Sequence, residues 1–167
     1  QKGTTGTPDR YNTQVDSVLT LMTLEEKIGQ MTLYTTDWES TGPTIRKGYQ
    51  EDIRKGTCGA LFNSHTVAFT RQLQDIAVKE SRLGIPLLFG YDVIHGYKTI
   101  FPVPLGESCS WDLAAIEQSA SIAAAEAAAA GLHWTFAPMV DISREPRWGR
   151  VMEGAGEDPF LGSLIAR

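Results

Sequence analysis

Three short apolar runs, separated by segments of helical character, most constrain what this chain can fold into. The runs are CGALFN at 58–63, IPLLFGYDV at 85–93 and LHWTFAPMVDI at 132–142. Their length and composition are typical of strands buried on both faces. Residues 65–82 carry apolar side chains at helical spacing, and 112–130 is predicted as a second helix. This order predicts parallel strands joined by helical crossovers.

Local signals indicate where several elements begin and end. Thr23–Glu26 has the pattern of a capping box that opens a short helix. Ser110 is the predicted N-cap of the helix over 112–130, and Gly131 stands where a helix commonly ends. Residues 34–57 are polar and irregular, and they are predicted as an excursion loop with a short helix near its end.

Two architectures fit this repeat, an open doubly wound sheet and a closed barrel. The turn after the first apolar run, CGALFNSH, lacks the glycine spacing of a dinucleotide-binding loop, which favours the barrel. A (β/α)8 barrel needs roughly 250 residues. We therefore expect an α/β fold that is the N-terminal part of such a barrel, with about three βα units and further polypeptide completing it. Residues 1–11 are a polar lead-in, and 12–167 form the barrel segment.

Composition excludes several classes of protein. The formal net charge is −5 and the sequence has no basic stripe, so no nucleic-acid partner is expected. The longest apolar stretch, 113–130, is too polar to span a bilayer. The three histidines are dispersed, and we expect neither a metal nor a cofactor. Cys58 and Cys109 are expected to be buried free thiols, although a disulfide stays open in an oxidising compartment.

The loop REPRWGRVMEGAGEDP at 144–159 gathers three arginines and four carboxylates. It could be a solvated turn whose ion pairs each contribute little. It could instead be a binding loop, because it follows the third apolar run and chemistry in barrels lies at the carboxyl ends of strands. Asp92 ends the second run and His65 follows the first. We expect these strand ends to face one mouth.

A carboxylate beside an arginine suits a neutral polyol, because the carboxylate accepts bonds from adjacent hydroxyls and the guanidinium donates them. Trp148 or Tyr91 could cover the apolar side of a sugar ring. Asp92 could alternatively be only a turn residue. Asp158 precedes Pro159 and is expected to serve the start of the next helix.

Three motifs together carry a family resemblance: TLEEKIGQM, GYDVIHG and PRWGRVMEGAGEDP. In this order they resemble the N-terminal barrel domain of glycoside hydrolase family 3, with the nearest likeness to bacterial β-glucosidases of the periplasmic type. The resemblance implies that Asp92 holds the outer hydroxyls of the sugar in the innermost subsite. It also implies that Arg150 contacts the same sugar and that Glu153 orients Arg150. Arg147 and Asp158 are expected to support the loop.

The resemblance further implies a segment of a retaining, exo-acting β-glucosidase that acts on terminal non-reducing β-D-glucosyl residues. β-Xylosidase and exo-glucanase specificities stay open within the enzyme class. No residue of this chain matches the family's nucleophile or acid/base, so no catalytic residue is expected here. We expect the remainder of the enzyme as another chain or segment, and a periplasmic or secreted location. The alternative is a non-catalytic carbohydrate-binding fragment or scaffold half.

Overall fold

A computed structural model of the protein describes residues 10–39, 42–46 and 48–167. The helices are α1 Arg10–Leu21, α2 Leu24–Gln30, α3 Tyr49–Lys55, α4 Val67–Glu80, α5 Pro104–Ser108, α6 Leu113–Ala129 and α7 Pro159–Ile165. The strands are β1 Leu33–Thr35, β2 Asp37–Glu39, β3 Gly42–Thr44, β4 Ala60–Phe62, β5 Leu88–Tyr91 and β6 Trp134–Thr135. One 3-10 turn, Val151–Glu153, lies between β6 and α7. Most of the predicted lead-in lies outside the described residues.

The main sheet has four parallel strands in the order β1–β4–β5–β6. Helix α3 lies in the chain between β1 and β4, α4 between β4 and β5, and α6 between β5 and β6. The predicted strand–helix repeat is therefore confirmed, and the sheet has one strand more than the three apolar runs indicate. Strands β2 and β3 form a separate antiparallel hairpin directly after β1.

The additional strand, β1, lies partly in the segment that the sequence predicts as a loop. Its central residue Tyr34 is flanked by a half-exposed Leu33 and by Thr35, so it lacks the apolar run that marks the other strands. Backbone pairing holds it in the sheet: the Thr36 N–H donates to the Phe62 carbonyl at 2.9 Å. Long-range pairing of this kind leaves only a weak local signal in the sequence.

The third predicted strand, 132–142, is far shorter than expected. Only Trp134 and Thr135 pair with β5, and Trp134 is exposed, so burial on both faces is wrong for this strand. Two physical reasons apply. β6 lies at the edge of the described sheet, and Pro138, which follows, has no N–H to donate to a ladder.

The core lies between the helices and one face of the sheet. In β5, Phe89 is 1% exposed while its neighbour Leu88 is 54% exposed, because successive strand side chains point to opposite faces. The buried core cluster comprises Ile53, Cys58, Leu61, Leu73, Ile76, Ala77, Leu87, Phe89, Val93, Ala123, Ala127 and Leu132. The alternation continues past β5 and places Asp92 on the open face, in line with Leu88.

The predicted helix ends are confirmed in two places and wrong in one. The capping box is present: the Thr23 N–H donates to Glu26 Oε2 at 2.8 Å, and the Glu26 N–H donates to Thr23 Oγ1 at 3.2 Å. Gly131 follows α6 with a φ of +85°, as a C-terminal glycine should. The N-cap of α6 is Asp112 and not Ser110, because Asp112 directly precedes the helix and accepts the Ala115 N–H at 3.0 Å.

Both cysteines are free thiols, but only one is buried. Burial raises the pKa of Cys58 to about 11. Cys109 is exposed, contrary to expectation, because it ends the short helix α5 at the surface. Among the described helices, none combines the length and the apolar character that a membrane crossing requires.

Candidate functional site

Arg150 and Glu153 form an ion pair in the loop that follows β6. The 3-10 turn Val151–Glu153 places them three positions apart, and the Arg150 guanidinium donates to Glu153 Oε2 through Nε at 2.8 Å and also through Nη2. The side chains are 54% and 34% exposed, respectively. The contact expected between these two residues is therefore present, and the role in sugar binding stays a prediction.

The electrostatics of Arg150 connect it to the carboxyl end of β5. Its pKa is raised, first by the hydrogen bond with Glu153 and by that residue's charge, then by the charges of Asp92 and Asp141. Asp92, which follows β5, and Asp141, in the loop after β6, thus contribute carboxylates to the surroundings of one guanidinium. Asp141 is a residue that the sequence interpretation missed. It ends the apolar run MVD just as Asp92 ends its own run, so the same rule could have found it.

Asp92 is exposed at the end of β5, and its carboxylate makes no hydrogen bond to any residue of the described chain. Its neighbour Tyr91 points to the opposite face, where its ring packs edge-on against Tyr97 at a centroid distance of 5.8 Å. Tyr91 is therefore a support behind the strand, and the idea that its ring covers a sugar is wrong.

His65, in the loop after β4, lies against aromatic residues of β5 and of the loop that follows β5. Its ring packs against Tyr91 at 5.4 Å, and its Nδ1 lies 3.3 Å from the Asn63 carbonyl. The Tyr97 hydroxyl donates to the His65 carbonyl. The structure thus brings the end of β4 next to the end of β5, and the convergence of all three strand ends on one mouth stays a prediction.

The loop after β6 is closed upon itself. Met139 pairs with Gly154 in a single parallel bridge, and the Ser143 N–H donates to the Gly156 carbonyl at 3.1 Å. Gly154 fits closely, because a Cβ at this position would lie 3.3 Å from the Ser143 hydroxyl oxygen. These backbone contacts fix the loop that carries Arg150.

Two other charged residues of the loop behave differently from each other. The Arg147 guanidinium donates to both carboxylate oxygens of Glu145, at 2.7 and 2.9 Å, and its side chain is 87% exposed; the expectation that Arg147 supports the loop stays a prediction. Asp158 does have a structural role: its Oδ1 accepts the Phe160 N–H at 2.8 Å and the Leu161 N–H at 2.9 Å, which caps α7. Trp148 is 37% exposed, and its role as a platform for a sugar stays a prediction.

Metal ligation finds no support in the described ranges, where no three His, Cys, Asp or Glu residues are grouped to hold an ion. His95 bonds within its own loop, with Nδ1 at 3.1 Å from the Phe101 carbonyl. A surface groove between 138–142 and α7 includes neither Asp92 nor Arg150. The arrangement at the strand ends suits hydrogen bonding to hydroxyls by a carboxylate and a braced guanidinium.

Comparison of the sequence with protein families gives a clear match. The profile of the glycosyl hydrolase family 3 N-terminal domain matches residues 23–167. The chain is 45% identical over 159 residues to the periplasmic β-glucosidase of Salmonella typhimurium, covering 95% of this chain and 20% of that protein. It is 34% identical over 102 residues to a β-xylosidase of Formosa agariphila, covering 55% of this chain and 14% of that protein.

Solved structures extend the likeness to the fold. The crystal structure of a β-glucosidase from Listeria innocua in complex with glucose has a TM-score of 0.80 at 39% identity, covering 92% of this chain and 22% of that one. A mutant of the same enzyme in complex with laminaribiose gives the same TM-score, identity and coverage. The chain thus spans about a fifth of the length of these relatives. The prediction of a partial (β/α) barrel is confirmed.

Proposed function

Because the chain belongs to glycoside hydrolase family 3, as part of its N-terminal domain, we propose that it is a segment of a retaining, exo-acting β-glucosidase. In this proposal the segment supplies part of the innermost sugar-binding subsite. Its relatives named above include β-glucosidases from two bacteria, one of them with glucose bound. The complete enzyme would remove terminal β-D-glucosyl residues from glucosides or oligosaccharides.

The observation that carries the proposal is an arginine braced by Glu153, with the Asp92 carboxylate near enough for its charge to act on the guanidinium without forming an ion pair with it. Asp92 contributes to the raised pKa of Arg150, and Glu153 holds the guanidinium in place. An ionised carboxylate accepts two hydrogen bonds from adjacent hydroxyls, and a fixed guanidinium donates without a further loss of side-chain entropy. The pair would therefore grip the outer hydroxyls of one sugar ring.

Hydrolysis with retention needs two carboxyl groups about 5 Å apart, one attacking the anomeric carbon and one protonating the leaving oxygen. Glu153 is engaged by Arg150, which suits an orienting role better than nucleophilic attack. We assign the nucleophile and the acid/base to the remainder of the enzyme, outside this chain. Contacts from Asp92 and Arg150 would tighten as the ring approaches the oxocarbenium-like transition state and would lower the barrier in that way.

The proposal extends to specificity and location. β-Xylosidase activity is the second candidate, favoured by the likeness to the Formosa agariphila enzyme. Comparing kcat/KM for matched aryl β-glucosides and β-xylosides of the complete enzyme decides between them. A periplasmic or secreted location is proposed from the likeness to the Salmonella typhimurium protein. Turnover of neither glycoside would favour a non-catalytic carbohydrate-binding role.

The test of the subsite is an Asp92→Ala variant of the complete enzyme, assayed with an aryl β-glucoside. We expect kcat/KM to fall by about 100-fold or more, since two hydroxyl contacts to a charged acceptor are lost in the transition state. Asp75→Ala is the matched control, because this exposed carboxylate pairs with Lys79 on the outer side of α4. Unchanged kcat/KM in Asp92→Ala would remove Asp92 from the subsite.

A further inference from the structure

The residues that follow Asp92 form a compact excursion, 93–101, which we name the strap. Its ends are joined across the stem: the Phe101 N–H donates to the His95 carbonyl at 2.8 Å, and Gly96 pairs with Ile100 in an antiparallel bridge. Gly96 has a φ of +112°, and a Cβ there would lie 1.9 Å from the Thr99 carbonyl oxygen. The turn is therefore so tight that only glycine fits.

Glu126, on the crossover helix α6, holds the tip of the strap. Its Oε2 accepts the N–H groups of Lys98 and Thr99, each at 2.8 Å, and its Oε1 accepts the Thr99 hydroxyl at 2.7 Å. These bonds lower the pKa of Glu126, the Thr99 N–H having the largest effect. One carboxylate, 27 to 28 positions away in the chain, thus binds three hydrogen-bond donors at the tip of a turn that is not part of the sheet.

The strap matters for Asp92 because the Asp92 carboxylate has no hydrogen bond within the described chain. Its position is therefore set by the backbone on either side. On one side this backbone is β5, paired with both β4 and β6. On the other side is Val93, 8% exposed and part of the core, from which the strap departs. Movement of the strap would turn the backbone at its stem and shift the carboxylate.

We propose that Glu126 is a positioning residue for sugar binding, which acts through the strap on the Asp92 carboxylate. This inference rests on the proposed function, in which Asp92 binds the sugar. A carboxylate suits the task because it only accepts hydrogen bonds and so matches a cluster of three donors. A glutamine of the same size can keep one oxygen on the two N–H groups and donate to the Thr99 hydroxyl, but it is neutral, so its bonds to the strap are weaker than those of the carboxylate.

The test is a double-mutant cycle in the complete enzyme, with Glu126→Gln, Asp92→Ala and their combination assayed on an aryl β-glucoside. We expect Glu126→Gln alone to lower kcat/KM by about tenfold and to add no further loss in the Asp92→Ala background, because residues that act through one another are not additive. Glu117→Gln, on the exposed surface of the same helix, is the matched control and should retain kcat/KM.

The outcomes separate this inference from the proposed function. Equal losses from Glu126→Gln in both backgrounds would show a general structural effect and overturn the inference, as would no loss from Glu126→Gln alone. An Asp92→Ala variant with unchanged kcat/KM would instead overturn the proposed function and the inference with it. Thr99→Val is the milder second variant, since it removes one of the three bonds to Glu126. Its expected loss is about threefold, and it too should vanish without Asp92.

Discussion

Each end of the parallel strands carries a cluster in which arginine and carboxylate side chains interact, and the two clusters are built differently. At the amino end, Glu26 is almost completely buried; it closes the capping box with Thr23 and accepts two hydrogen bonds from Arg82. At the carboxyl end, Arg150 is braced by Glu153, but about half of its side chain and the Asp92 carboxylate face solvent. The first cluster is saturated with partners, and the second keeps bonding capacity.

The difference follows the division of labour in (β/α) barrels, where the amino face stabilises the fold and the carboxyl face carries the chemistry. Glu26 ties α2 to Arg82, which follows α4 and precedes β5, so its charges join segments distant in the chain. Arg150 and Glu153 are three positions apart and join nothing distant. Such a local ion pair adds little to the stability of the fold, which indicates that its role is to hold the guanidinium in position for a ligand.

Of the variants that compare the two clusters, Arg150→Lys should have the largest effect, because it keeps the charge and removes the planar fork. We expect kcat/KM for an aryl β-glucoside to fall by about 30-fold, because an ammonium cannot donate to Glu153 and to a sugar hydroxyl in the same geometry. Arg147→Lys in the same loop is the matched control, since its side chain is 87% exposed. Equal kcat/KM values in the two variants would show that Arg150 does not bind the sugar and that the loop has only a structural role.

A smaller effect, on stability alone, is expected for Glu26→Gln. The hydrogen bond from Arg82, followed by that from the Thr23 backbone, lowers the pKa of Glu26, so its ionised form stabilises the folded state. At pH 7 we expect the apparent Tm to fall by a few degrees, with kcat/KM within about twofold of wild type. Glu25→Gln, an exposed neighbour on α2, is the control.

The same lowered pKa predicts how this difference in Tm depends on pH. A carboxylate whose folded pKa is depressed stabilises above its ordinary pKa, and this contribution is lost as the pH falls through the folded value. Thermal scans of wild type and Glu26→Gln should therefore converge as the medium is acidified below the ordinary carboxyl range. A Tm difference that persists unchanged in acid would assign the effect to packing instead of charge.

The sequence predicts the elements whose signals are local. Residues 65–82 show helical spacing and contain α4, and Thr23–Glu26 shows the capping box that opens α2. Strand β1 was not predicted, because it forms by pairing with β4, twenty-five or more residues away, and contains no apolar run. The extent of β6 was overestimated for the converse reason: 132–142 is apolar, but a strand needs a neighbour to pair with.

The candidate site divides in the same way. Asp92 is marked by its position after an apolar run, and Arg150 stands in a motif that carries the family resemblance. No sequence motif reveals the link from Glu126 to the strap. Helix α6 is mostly alanine, and the turn that Glu126 binds lies 28 positions earlier in the chain. The sequence did not reveal that Tyr91 faces the core, because strand alternation, which decides the face of each side chain, depends on a register that the sequence does not state.

The measurement that most directly tests the central claim is a crystal structure of the complete enzyme with glucose bound. The account predicts the Asp92 carboxylate within hydrogen-bond distance of two adjacent hydroxyls of the sugar, and the Arg150 guanidinium donating to the same ring while still paired with Glu153. Glucose bound elsewhere, with Asp92 directed to solvent, would contradict the account and leave the carboxyl end of the strands without its proposed ligand.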